Sequence, residues 1–358
     1  GGAPFALTTT EALELRAKDL DLNIHPGGRV YVLPCIAGHV GADSAGVILA
    51  EHPEQDAEMT LVIDVGTNAE IVLGNKDRML VCSTPTGPAF EGAQISSGQR
   101  ATFGAIERVR IDRETLEPRF KIIGSDLWSD EPGFEQALGS IGVTGICGSG
   151  IIEAVAEMFL AGIVSEDGVI NGALAEQSPR IFSSGRTWSF TLHTASAHGQ
   201  SDISVTQNDI RQIQLAKAAL YAGVKLLQDH MGTQHIDRIR LAGAFGSHIS
   251  LSHAMVLGLI PDCPLKNVSA AGNAAGMGAR IALLDRDSRG HIEKIVRWAE
   301  RIETAVEDKF QDYFVDAMAF PHKSDPFTHL FGEIPPPVVR TQHAEAGNAR
   351  RRRGRTRS

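Results

Sequence analysis

Thr60-Leu61-Val62-Ile63-Asp64-Val65-Gly66-Thr67-Asn68-Ala69-Glu70-Ile71-Val72-Leu73 is the stretch on which the fold turns. An apolar run ends in Asp64, a Gly-Thr-Asn turn follows, and a second apolar run resumes, which predicts a strand, a tight turn and an antiparallel strand. A carboxylate at the end of a buried strand is costly to desolvate without a partner. A divalent cation carrying waters compensates that charge. Gly66 lets backbone amides approach phosphate oxygens closely, and Thr67 and Asn68 add side-chain hydrogen bonds. This predicts a phosphate-gripping hairpin, since no G-x-x-x-x-G-K-S/T loop is present. The plainer alternative is a structural turn in which Asp64 caps local amides.

Outward from this hairpin, strand-like and helix-like segments alternate. Met79–Cys82 reads as a third strand; Ala105–Ile111 and Phe120–Ile123 either extend the sheet or form an outlying hairpin. Thr206, with Asp209 three residues on, is a capping box opening a long helix whose Ile210, Ile213, Leu220, Val224 and Leu227 recur at helical spacing. Further helices are expected at Ile151–Leu160, opened by Gly148-Ser149-Gly150, at Ala274–Leu284 and at His291–Thr304. Strands followed by helices predict an α/β fold.

Two later motifs share the small-residue chemistry of the hairpin. Ile239–Gly246 is a strand running into Gly243-Ala244-Phe245-Gly246, where a flat base could lie against the backbone; close helix-on-strand packing is the plainer alternative. Gly272-Asn273-Ala274-Ala275-Gly276-Met277-Gly278-Ala279 makes a helix face that a second helix can approach, either as an interdomain hinge or as ordinary core. Lys217, on the long helix among apolar neighbours, either reaches a ribose or phosphate or is solvated.

Composition narrows the classes. The 358 residues are 42% hydrophobic and 22% charged, enough for two or three domains, with no apolar run of membrane-spanning length and no secretory pattern at residues 1–5. A cytoplasmic location is expected. Net charge is −9, yet seven arginines and one glutamate from Arg340 onward leave −15 on the body, a poor nucleic-acid binder. Cys35, Cys82, Cys147 and Cys263 lie far apart, so neither an iron–sulfur cluster nor a structural zinc is expected of them. His39, His235 and His248 are too scattered to suggest a metal site.

Longer stretches resemble one family. These are Leu33–Asp43 (LPCIAGHVGAD), Asp64–Glu70 (DVGTNAE), Thr86–Ala93 (TGPAFEGA), Thr144–Ile152 (TGICGSGII), Gln214–Ala219 (QLAKAA), then LAGAFG from Leu241 and GNAAGMGA from Gly272. Over about residues 3–330 the chain is similar to the C-terminal domain of the reductive activators of corrinoid-dependent methyltransferases and corrinoid/iron–sulfur proteins. That resemblance implies an actin-like, RNase-H-like fold of the ASKHA superfamily, binding ATP and Mg. It implies return of cobalt(II) corrinoid to cobalt(I), with an electron from a 2Fe-2S ferredoxin domain that this chain lacks. Nucleotide contacts are then expected from Asp64, Gly66, Thr67, Asn68, Lys217, Gly243, Ala244, Phe245, Gly246, Asn273 and Gly276. Asp64 would approach the magnesium through water, and Asp43 would orient attacking water. Gly87, Phe90 and Glu91 would line the cleft or face the partner, a corrinoid protein or corrinoid methyltransferase system; homodimerisation stays open.

The family pattern also has an earlier D-x-G-T hairpin. Only one is found here, matching the second by order, so the first RNase-H-like half is expected to be largely missing. The expected layout is the end of that half with a connector helix (1–57, helix from Cys35 to Leu49), the ATP-binding half (58–290), a helical extension (291–331) and a disordered basic tail (332–358). ATP hydrolysis by this chain alone is left open. The alternatives are a non-hydrolysing docking module for a corrinoid protein, separable by phosphate release, and a small-molecule kinase of the same superfamily, for which no sugar or carboxylate recognition motif is evident.

Overall fold

The computed structural model describes residues 7–139, 142–195, 201–246 and 248–340, excluding the side chains at 244 and 245. A hairpin of β1 (Leu13–Arg16) and β2 (Arg29–Val32) precedes α1 (Ala42–Glu51). An antiparallel meander follows: β3 (Thr60–Val65), β4 (Ala69–Gly74) and β5 (Met79–Thr84). Next come β6 (Ala105–Ile111), β7 (Pro118–Ile122), the short α2 (Phe134–Leu138), β8 (Gly145–Ile146) and α3 (Gly148–Leu160). Strands β9 (Ile181–Ser184), β10 (Thr187–His193) and β11 (Ile203–Thr206) lead into α4 (Gln207–Met231). The chain then runs through β12 (Arg238–Ala242), the single turn α5 (Gly243–Gly246), α6 (Leu251–Val256), β13 (Val268–Gly272), α7 (Ala274–Leu284) and α8 (Arg286–Trp298). Strand β14 (Glu300–Arg301), α9 (Phe310–Asp316) and α10 (Leu330–Glu333) complete it.

The central sheet has the order β13-β12-β3-β4-β5-β14, with β12 parallel to both β3 and β13. An antiparallel meander extended by parallel strands is the RNase-H-like sheet. β6, β7 and β8 form a separate three-stranded sheet, so they do not extend the central one. β3 is apolar on both faces because both are covered. Leu61, Ile63 and Val65 pack with α3 and α4, whereas Val62 packs with Val72, Val81 and the α1, α7 and α8 side. Burying one such side chain contributes about 1.5–3 kcal/mol.

Helix α4 begins where the capping box places it: Asp209 N–H donates to Thr206 Oγ1 (3.2 Å), and Thr206 N–H donates to Asp209 Oδ2 (2.8 Å). Two helix boundaries differ from expectation. The helix expected from Cys35 starts only at Ala42, because Ala37 and Val40 pair across a tight turn. The helix expected at His291–Thr304 is α8, which starts at Arg286 because the Asp285 side chain caps Asp287 N–H; it ends at Trp298, where the chain leaves to pair with β5. The expected disorder from 332 is corrected for 332–340. Val338 N–H donates to Leu160 O, and Arg340 Nε donates to Ala161 O at 2.9 Å, which fastens this proline-rich stretch to the body. The rest of the expected tail, 341–358, lies outside the described residues.

Helices α1 and α7 cross in direct backbone contact. A Cβ added to Gly278 would stand 1.9 Å from Gly46 O, and one on Gly46 would stand 2.9 Å from Ala275 O. The glycine-alanine face of the later motif therefore meets the connector helix. Replacing Gly278 by Ala gains up to about 1 kcal/mol of helix propensity. The obstructing atoms are backbone, however, and overpacking costs about 1–3 kcal/mol. Gly278→Ala is predicted to destabilise the protein, seen as a lowered urea midpoint at unchanged slope; a raised midpoint would contradict the packing.

Candidate functional site

Three loops meet at the carboxyl edge of the parallel strands β3, β12 and β13. In open α/β sheets this edge is where ligands bind. The parallel register sets Ala242 beside Asp64. Gly243 follows at φ 87°, a conformation that favours glycine, and a Cβ there would stand 2.6 Å from Asp64 Oδ1 and 2.9 Å from Val65 O. The sheet thus brings Gly243 and the Asp64–Asn68 hairpin together. β13 delivers Asn273 and Gly276 to the same edge, at the start of α7. Asn273 Oδ1 accepts from Gly276 N–H at 2.8 Å, and both residues line a cavity of about 450 Å³ with Glu51, Met277 and Arg280. The side chains of Ala244 and Phe245 lie outside the described residues.

The hairpin is braced from below. Gly66 N–H donates to Asn68 O (3.0 Å), closing the turn, and Thr86 Oγ1 donates to Gly66 O (3.0 Å) and Thr67 O (3.1 Å). Gly87 N–H also donates to Thr67 O, and Thr67 Oγ1 donates to Glu91 Oε1 at 3.1 Å. The 86–93 loop is therefore built into the hairpin. Gly87 is half-buried and Glu91 exposed, but Phe90 is buried in the core, so the expectation that Phe90 lines the cleft or faces a partner is corrected.

Lys217 is a second correction. Its ammonium is wholly buried and donates to Ala319 O (2.5 Å) and Pro321 O (2.6 Å), and burial holds its pKa well below the usual range. It fastens the C-terminal segment to α4. Those carbonyls occupy it, and it is not positioned as a ribose or phosphate ligand.

The electrostatics of the edge are acidic. Asp64 and Glu70 sit directly opposite across the hairpin, and Asp43 lies exposed in the first turn of α1. Burial raises the Asp64 pKa first, and the Asp43 charge raises it further. Glu70 is pushed up to about 7, chiefly by burial and then by Asp43 and Asp64, while Ser83 Oγ, donating at 3.1 Å, opposes the rise. Hard oxygen ligands under mutual repulsion fit a hydrated divalent cation of the Mg²⁺ class. Glu70 escaped the sequence reading as a site residue. The signal was present, because strand pairing across the turn places Asp64 and Glu70 on one face.

Residues 58–331 match the family described as the C-terminal domain of RACo, the ASKHA domain, and residues 1–55 match the RACo middle region. The chain belongs to the RACo family. It is 36% identical over 328 residues to the corrinoid activation enzyme RamQ of Eubacterium limosum, covering 89% of this chain and 52% of that protein. It is 26% identical over 307 residues to a Co(II) methylated amine-specific corrinoid protein reductase of Methanosarcina barkeri, covering 81% and 51%. A solved reductive activator for corrinoid, iron–sulfur protein superposes with a TM-score of 0.78 at 34% identity, over 93% of this chain and 50% of that one. The chain thus spans about half the length of the relatives it matches. No helix among the described residues is long and apolar enough to cross a membrane.

The raised carboxylates set a pH dependence. A carboxylate whose folded pKa lies above its unfolded value lets the folded state bind more protons, so stability falls as pH rises through that window. For Glu70 the window runs from 4.5 to about 7. Glu70→Gln should gain stability relative to the unsubstituted protein between about pH 5 and pH 8, and saturating Mg²⁺ should shrink the gain. Denaturant midpoints of the two proteins measured at both pH values check this; parallel shifts would refute it.

Proposed function

We propose that this chain is the nucleotide-binding part of a reductive activator that returns cobalt(II) corrinoid proteins to cobalt(I). The observation that carries the reading is the Asp64–Gly243 juxtaposition at the carboxyl edge of a RACo-type ASKHA sheet. In this reading the backbone at Gly66, Thr67 and Asn68 cradles the phosphates. The open edge at Gly243–Gly246 takes the nucleoside side, and Asn273 and Gly276 border it. Asp64 and Glu70 hold a magnesium ion, directly or through water, and that ion supplies charge neutralisation on the phosphates. Asp43 orients the attacking water when the enclosing half of the fold closes over the site.

Coupling to the partner follows from the bracing of the hairpin. Phosphates that pull on Gly66 and Thr67 act on Thr86, Gly87 and Glu91 through their hydrogen bonds, so nucleotide state changes the placement of the exposed Glu91. In this reading Gly87 and Glu91, without Phe90, face the corrinoid protein. Nucleotide binding favours a complex in which cobalt(II) accepts one electron to become cobalt(I). The electron comes from a reduced 2Fe-2S ferredoxin domain outside these residues.

Asp64→Asn keeps the shape of the side chain and removes its charge. Loss of a buried charge partner costs about 2–5 kcal/mol, so Mg-ATP affinity should fall roughly 30-fold to several-thousand-fold. Calorimetric titration of both proteins measures this, with circular dichroism confirming the fold. Equal affinities would reject the assignment.

A further inference from the structure

We infer a divalent transition-metal site at His52, Glu54 and His291, at the far end of the connector helix from Asp43. His52 Nδ1 stands 3.1 Å from Glu54 Oε1, and His291 Nε2 stands 2.9 Å from the same oxygen. One ligand atom from each residue lies within 4.8 Å of the other two. In a four-coordinate zinc site with bonds of about 2.0–2.2 Å, neighbouring ligand atoms are about 3.4 Å apart, so the two contacts to Glu54 Oε1 need to open by only a few tenths of an ångström.

Two observations separate this cluster from a surface ion pair. The Glu54 side chain is only 5% exposed, and its Oε2 is buried with no hydrogen-bond partner among the described residues. A metal-bound carboxylate can engage both oxygens. His52 Nδ1 also stands 3.0 Å from Gln55 Nε2. One ring nitrogen cannot donate to Glu54 and accept from Gln55 at once. Pointing the Nδ1 lone pair at a cation, with the Gln55 amide turned to another partner, removes that conflict.

The backbone aims the ligands. His52 caps α1 at φ 49°, in the left-handed region where histidine is enriched, and Pro53 opens the turn that carries Glu54. His291 lies on α8 beside Ile292, which is buried with α1 residues in one core cluster. Two imidazoles and one carboxylate, without thiolate, suit zinc and its first-row neighbours rather than magnesium or calcium. Both histidines are more than a third exposed, which leaves the outer position to water. The ion clips α8 to the end of the ten-residue connector helix, about 13 Å along the axis from Asp43. This inference stands independently of nucleotide binding.

The test uses the full chain, stripped with chelator and titrated calorimetrically with Zn²⁺. One tight equivalent is expected, with a raised thermal midpoint that Mg²⁺ does not reproduce. Glu54→Gln and His291→Gln should each weaken Zn²⁺ at least tenfold, and Co²⁺ should give four-coordinate visible bands in the unsubstituted protein and lose them in Glu54→Gln. Cys35→Ser should bind as before. Should a variant lose its fold by circular dichroism, the Co²⁺ bands of the other variant decide. Zn²⁺ binding unaffected by Glu54→Gln and His291→Gln, or abolished by Cys35→Ser, overturns the site.

Discussion

The parallel pairing of β3 with β12 is the constraint on which the rest depends. It lays Ala242 alongside Asp64 and so forces Gly243 against the carboxylate, where no side chain fits. Pairing of β13 on the other side of β12 then carries Asn273 to the same edge. One hydrogen-bonded ladder gathers motifs that lie about 180 and 210 residues from Asp64 in sequence. The carboxylate at its focus is tolerated because it sits at the strand end, where the sheet opens. Deeper in β3 the same charge would cost several kcal/mol unless neutralised.

The two faces of the sheet divide the labour. On the α1 side, odd charges accumulate: Asp43, Asp64 and Glu70 repel one another, and burial magnifies the effect. On the α4 side the packing is mostly apolar, and the buried Lys217 ammonium donates to two backbone carbonyls. Raised carboxylates at the open edge of a packed sheet have the character expected where a cation and polyanion bind. The glycine contact of α1 with α7 brings the two backbones together on that side of the sheet, and Ala45, Ile48, Ala274 and Ala282 are buried in the same cluster.

Much of this was legible in the sequence for identifiable reasons. The β3 and β4 strands announce themselves by continuous apolar runs around turn residues. The α4 start is fixed by Thr206 and Asp209, whose side chains satisfy backbone donors. Other features depend on tertiary partners that no local pattern reveals. Lys217 looks like a ligand by its position, but the carbonyls it binds belong to residues about a hundred places later. Phe90 lies in a loop of turn-forming residues, yet it enters the core because Thr86 pins the loop under the hairpin. Glu54 and His291 are 237 positions apart, and only the packing of α8 against α1 brings them within reach.

The central claim is that the carboxyl edge around Asp64, and not the α4 face, receives the nucleotide. Paramagnetic broadening by a Mn²⁺–nucleotide complex in the amide spectrum measures this directly, since the effect falls off steeply with distance from the ion. The account predicts loss of the Gly66, Thr67 and Gly243 signals, weaker broadening at Asn273 and Gly276, and unchanged signals around Lys217. Broadening centred on Lys217 and the residues that bind it, with Gly66 and Gly243 intact, would contradict it.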